Sequence, residues 1–171
     1  MTGVNSDGKA TVVSDTAVAP ITLQTIPGWE YHKLWGSDKP VVLPHDGSLP
    51  SFPQYYPPPG GFRFGLFTVP AMTEVSGEEQ DAEAALQELE EKLPGMAEHL
   101  EADDPGMHTT DTVDFDYVIS GEVWLELDDG EAVHLKAGDA VIQNGTRHAW
   151  RNKSSKPCVL FACLIGAARH A

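Results

Sequence analysis

The sequence predicts an all-β domain, a sandwich or barrel of short strands with one helical segment inserted. Three observations carry this expectation. Beyond Met107, apolar and polar residues alternate with a period of two, as in half-buried strands. Sixteen Gly and 13 Pro in 171 residues suit short strands and many turns better than a helix bundle. Between Glu78 and Leu100 the alternation breaks, and leucines recur at intervals of three and four, the spacing of an amphipathic helix.

Taken in order, residues 1–20 read as a loose arm with one strand expected at Ala10–Val13. Ile21–Val42 contains short apolar pieces, among them Trp29, Tyr31 and Trp35, expected to pair with the sheet edge or with a second subunit. Pro44–Gly61 holds six prolines, and proline lacks the N–H that a ladder needs, so an ordered loop is expected there. Phe62–Val69 alternates as a strand. Leu86, Leu89, Leu93, Met96 and Leu100 then mark the apolar face of the helical segment, which Pro94-Gly95 should end or kink at Leu93. An apolar stripe of this kind normally faces a core, so a cover packed on the barrel is favoured over a lid at a pocket mouth.

The second half is denser in strands. Asp114–Ser120 and Glu122–Leu127 lie on either side of Gly121, and Asp128-Asp129-Gly130 is a hairpin turn before Glu131–Leu135. Lys136–Asp139 turns again. Ala140–Gln143 and His148–Arg151 flank Asn144-Gly145, which reads as another hairpin, and Val159–Ile165 closes the sheet. The division expected is an arm, edge strands and Pro-rich loop over 1–61, and a barrel over 62–171 with a helical insert at about 78–101.

A net charge of −15 argues against nucleic-acid or anionic-membrane partners, whose phosphates would be repelled. No stretch approaches the roughly 20 apolar residues of a membrane span. The first 19 residues are polar, so no secretory signal is expected. Cys158 and Cys163 are five apart in one strand, an odd separation that puts them on opposite faces. Reduced thiols in a cytoplasmic protein are the expectation.

Two segments about thirty residues apart carry the candidate chemistry. Gly106-Met107-His108 runs through Thr110 to Asp114, and Gly138-Asp139 runs through Gly145 to His148 and Asn152. Each sets a His beside a turn in an alternating pattern, and two imidazoles with one carboxylate form the ligand set of an open divalent-metal site. Alternation puts Thr110 on the face of His108, and Trp150 on the face of His148.

These segments resemble the two motifs of the cupin superfamily. His108 stands at the first His of the first motif, Thr110 at the second, Asp114 at the Glu, and Gly121 follows at the required interval. Gly138-Asp139, Gly145, His148 and Asn152 fit the second motif, with Gln143 where a Pro is usual. The stretch Met107–Gly166 is similar to single-domain bacterial and fungal cupins. The resemblance implies a cupin jelly-roll β-barrel with one inserted α-helical segment. It also implies one divalent metal ion (Fe, Zn, Ni or Mn) on His108, Asp114 and His148. Thr110 leaves vacant the place of a third imidazole, and Asp114 is one methylene shorter than Glu.

Around that centre Asp116 is a candidate general acid or base, sharing the face of Asp114 or turned to solvent. Trp150 reads as an aromatic wall for substrate or as a core residue. Thr110, Arg63, Tyr117 and Gln143 are candidate substrate-binding residues, Arg63 as a bidentate carboxylate clamp or as a surface ion pair. His32, His45, His99, His134 and His170 lack comparable partners and are expected to be ordinary loop or surface residues. Two functions remain open: a metal-dependent enzyme acting on a small oxygen-rich molecule (isomerase, dehydratase, decarboxylase or dioxygenase), and a metal-free, non-catalytic small-molecule-binding module. Analogy with cupins of this size implies a homodimer.

Overall fold

The computed structural model describes residues 1–71 and 82–170; residues 78–81 of the expected helical segment lie outside the described residues. An arm hairpin comes first, β1 (Thr2–Val4) paired with β2 (Ala10–Val12). There follow β3 (Ile21–Thr22), β4 (Glu30–Ser37), β5 (Phe62–Val69) and helix α1 (Ala82–Lys92). The second half contributes β6 (Thr112–Ser120), β7 (Glu122–Glu126), β8 (Ala132–Lys136), β9 (Ala140–Asn144), β10 (Ala149–Arg151) and β11 (Cys158–Gly166). Two antiparallel sheets form the jelly roll, one ordered β3-β4-β5-β11-β6-β9 and the other β10-β7-β8.

Side-chain alternation determines which residues fill the space between the sheets. On β6, Thr112, Asp114, Asp116 and Val118 are buried while Phe115, Tyr117 and Ile119 are exposed. On β11, Cys158, Leu160, Ala162 and Leu164 point inward. Val118, Cys158 and Leu160 meet Val123, Leu125 and Leu135 from β7 and β8 in one core, with Phe67, Val141 and Trp150 packed against it. Cys158 is buried in that core, whereas Cys163 lies on the other face, and both thiols are free.

The turns beside the site are not both hairpins. Asp128–Gly130 does turn the chain between β7 and β8, with Asp129 and Gly130 at φ 57° and 75°. Asn144-Gly145, expected to join a hairpin, instead carries the chain from one sheet to the other: β9 pairs with β6, and β10 with β7. Gly121 makes the same kind of passage between β6 and β7. Its φ is +76°, and a Cβ there would stand 2.4 Å from the carbonyl oxygen of Pro157.

The helix packs as a cover. Leu89 and Leu93 are buried against Leu23 and Tyr31, and Met96 and Leu100 join that cluster from beyond the helix end. Leu86, expected on the same stripe, is 53% exposed. Glu88 accepts the backbone N–H of Gln24 at 2.9 Å, and Lys92 donates to the carbonyl of Thr22 at 2.7 Å, which ties α1 to the segment before β4. Tyr31, expected to pair with the sheet edge or with a second subunit, lies on β4 paired with β5 and is buried against Tyr55.

Gly166 sits where the Pro-rich loop closes on β11. Its N–H donates to Gly61, the N–H of Gly60 donates back to it, and an added Cβ would lie 1.9 Å from the Pro58 carbonyl oxygen. Gly166→Ala is expected to cost about 1–3 kcal/mol through that overlap. A thermal melt checks it; an unchanged melting temperature would mean that the loop is not held at this point.

Candidate functional site

Burial of polar groups marks the site. Asp114 and Asp116 project inward from β6, and Gln143 projects inward from β9 as the register partner of Asp114; all three are at most 4% exposed. The Gln143 side-chain oxygen accepts the Thr146 hydroxyl at 3.0 Å, but its Nε2 has no partner, and neither has Oδ1 of Asp114. An unsatisfied acceptor and an unsatisfied donor thus belong to register partners on neighbouring strands inside the barrel, an arrangement that costs about 1–3 kcal/mol per group until something fills it.

Removal from water keeps these acids protonated well above the ordinary carboxylate range. Burial raises Asp114 to about 6, against a smaller lowering by the Thr112 hydroxyl. Burial and then the charge of Asp114 raise Asp116 to about 8. Near neutral pH the pair therefore shares one proton, a donor and an acceptor two residues apart. The phenols of Tyr55 and Tyr56 stand close enough for Asp114 to push both pKa values upward, and for Asp116 to push that of Tyr55, beyond the larger effect of burial. These tyrosines come from the Pro-rich loop, where sequence reasoning saw only an ordered connection.

The second feature is an imidazole pair. His108 and His148 form an antiparallel bridge, each N–H donating to the other's carbonyl at 2.9 Å, and their ring centroids are 4.2 Å apart. Nδ1 of His108 meets the Gly106 carbonyl at 3.0 Å, and Nδ1 of His148 meets the Thr146 carbonyl at 2.9 Å. A carbonyl oxygen only accepts, so both Nδ1 atoms carry the proton and both Nε2 atoms keep a lone pair. Burial lowers both pKa values, that of His148 to about 4, so the rings are neutral. Arg147 anchors the mouth beside them through Glu101, Asp104 and Asp128. His99, expected to be an ordinary residue, stacks edge-on to Tyr56 at 4.7 Å and faces His108 closely enough to lower its pKa.

The expected three-donor metal set is present only in part. His108 and His148 have the backbone-anchored Nδ1 and free Nε2 that ligation requires. Asp114, one methylene shorter than Glu, does not join them: among the described residues no three His, Cys, Asp or Glu side chains are grouped to hold an ion. The residues therefore fit two ligands of a metal, not the triad.

Other expected site residues are placed as follows. Thr110 is buried, sharing a 2.8 Å hydrogen bond with Thr112. Trp150 lies between His148, at 6.1 Å, and Phe67, at 5.8 Å, on the edge of the core. Arg63 is neither a free clamp nor a surface residue. It is 1% exposed, ion-paired with Asp38 at 2.6 Å, and donates to the carbonyls of Ser37, Phe62 and Gln54. Tyr117 points away from the barrel interior, because it lies an odd number of residues from Asp114 on the same strand.

Comparison with known proteins agrees with this architecture. The Cupin_2 cupin domain matches residues 98–164. Phomopsin biosynthesis cluster protein C' of Diaporthe leptostromiformis is 50% identical over 48 residues, 28% of this chain and 25% of its own length. Oryzines biosynthesis cluster protein J of Aspergillus oryzae is 51% identical over 51 residues, 30% of this chain and 28% of its own. The matched stretch thus spans about a quarter of these relatives. Ectoine synthase from P. lautus superposes with a TM-score of 0.43 at 14% identity, over 82% of this chain and 66% of its own. No described helix is long and apolar enough to cross a membrane.

Proposed function

Since this chain belongs to the cupin superfamily, we propose that it takes a small polar organic molecule into its barrel, and that the Asp114–Asp116 pair moves a proton on it. The observation that carries this reading is the unpartnered Asp114 Oδ1 and the unpartnered Gln143 Nε2 on register partners of β6 and β9. A ligand presenting an N–H or O–H next to an acceptor, as an amide or a hydroxy-carbonyl compound does, would satisfy both at once. Asp116 would supply the proton as general acid, and Asp114 would receive one as base. Arg63, engaged by Asp38, is not free to clamp an anionic carboxylate, so neutral or cationic molecules are favoured. Relatives named for biosynthesis clusters suit a small organic ligand.

Thermal-shift titration at pH 7 with small amides, hydroxy-ketones and mono- and dicarboxylates tests the reading. The first two classes should stabilise the protein, and Asp114→Leu should weaken that binding by about ten- to a hundredfold. Carboxylates binding more tightly than neutral compounds would contradict it.

A second reading rests on the free Nε2 atoms of His108 and His148. These two nitrogens would hold a divalent ion, with Fe, Zn, Ni and Mn all compatible with imidazole donors. When bound, such an ion would act as a Lewis acid toward a carbonyl. Elemental analysis giving about one ion per chain, lost in His148→Ala, supports this second reading; absence of metal after reconstitution removes it.

A further inference from the structure

The Pro-rich loop brings a run of aromatic rings to the buried acids. Tyr31 meets Tyr55 edge-on at 5.1 Å, Tyr55 meets Tyr56 at 4.8 Å, and Tyr56 meets His99 at 4.7 Å. On its other side Tyr31 is the register partner of Phe67, which meets Trp150 at 5.8 Å. The run can lie against the sheet because of Gly65, where a Cβ would overlap the Tyr31 ring. From Gly65 the register passes through Ala162 to Asp116, so along this row nothing larger than a methyl group stands between tyrosine and acid. Asp114 acts on the phenols of both Tyr55 and Tyr56, which puts the run within electrostatic reach of the acid pair.

The acids lack a counter-cation here. Among the described residues neither Asp114 nor Asp116 is ion-paired with a Lys or Arg. Arg63 and Lys33, on β5 and β4, are engaged elsewhere, the first with Asp38 and the second over the Phe52 ring at 3.8 Å. The Arg63 guanidinium also lies over Phe52, at 4.0 Å, so one ring of this loop already holds cations by its face. Tyr55 and Tyr56 follow it in the same loop. A separate observation points to a ligand: Gln143, 3% exposed, projects inward as the register partner of Asp114 and leaves its Nε2 without an acceptor.

We infer that the molecule taken into the barrel is a small organic ammonium ion that also carries a hydroxyl or amide group, a conclusion that rests on the ligand-binding reading above. Its alkylated nitrogen would lie on the tyrosine run, attracted by ring faces and carboxylate together. Its oxygen would accept from Gln143 Nε2, and its O–H or N–H would donate to Asp114 Oδ1. Alkyl groups suit this place better than a bare metal cation, because they pack against the rings as well as carrying charge. A neutral molecule of the same shape makes the hydrogen bonds but loses the attraction of rings and acid for the charge.

Isothermal titration calorimetry of the full chain at pH 7 with choline and its neutral carbon isostere, dimethylbutanol, tests this. Choline should bind about tenfold more tightly or better. Tyr56→Leu should abolish that preference while leaving the affinity for the alcohol within about twofold, and Tyr56→Phe, which keeps the ring, should retain it. A readout without any variant is NMR of the wild type, in which the choline N-methyl protons should show Overhauser contacts to tyrosine ring protons. Equal affinity for the two compounds, a preference that survives Tyr56→Leu, or N-methyl groups with no tyrosine contact would each overturn the inference. Binding of small amides or hydroxy-ketones without a preference for the cation would remove this inference and leave the ligand-binding reading standing. Failure of all these compounds to bind would remove both.

Discussion

Asp116→Asn is expected to leave stability almost unchanged at pH 4 and to raise it progressively up to pH 8. The folded protein holds the Asp116 proton to about pH 8, whereas the unfolded chain releases it near the ordinary value of 3.8. Folded protein therefore binds more protons than unfolded protein across this window, and wild-type stability falls as pH rises through it. Asparagine has no proton to lose, so this part of the slope disappears. One group held over about four pH units corresponds to about 5 kcal/mol, and sharing the proton with Asp114 reduces the gain to about 2–4 kcal/mol. Melting temperature at pH 8 should then rise by roughly 5–10 °C. Asp114, raised to about 6 by burial, keeps a smaller slope in the variant. Identical pH profiles for variant and wild type would mean that Asp116 is solvated.

Arg63→Ala is expected to be the most damaging single change to stability. The guanidinium is buried, paired with Asp38 at 2.6 Å, and is the donor for carbonyls of Ser37, Phe62 and Gln54, so its removal strands acceptors from three segments. Asp38 is 31% exposed and stays partly solvated without its partner, so the stranded carbonyls carry most of a loss of about 2–4 kcal/mol. Lysine should rescue little, since an ammonium cannot reproduce the planar fork that reaches several acceptors at once. Because Arg63 also pins the loop that carries Tyr55 and Tyr56, the variant should become sensitive to proteolysis within residues 44–61 before it unfolds globally. Denaturant unfolding within 1 kcal/mol of wild type, with the loop still resistant, would remove Arg63 from this role.

What was legible in the sequence follows from the range of each signal. Alternation is local, so the strands of the second half could be read directly, whereas Asp116, open in the sequence between the face of Asp114 and solvent, is placed inward only by the fold. The imidazole pair was legible because two turns, at Gly106 and Gly145, set their histidines beside one another. Sheet membership was not legible: Asn144-Gly145 specifies a turn, while the identity of the partner strand depends on residues far along the chain. The partner of Arg63 is 25 residues away on a loop, beyond any periodicity. Tyr117 was a parity error, since three steps from Asp114 along a strand reach the opposite face. Tyr55 and Tyr56 reach the acids through tertiary packing of a Pro-rich loop, for which the local sequence carries no signal. His99 likewise depends on where the chain comes to rest after α1.

The account turns on two desolvated carboxylates sharing a proton inside the barrel. Carbon-13 NMR of the Asp114 and Asp116 side-chain carboxyls, followed from pH 3 to 9, measures this directly. Two coupled steps, with midpoints near 6 and 8, are expected. Both carboxyls titrating together near pH 4 would show that they are solvated and independent, and would contradict the site.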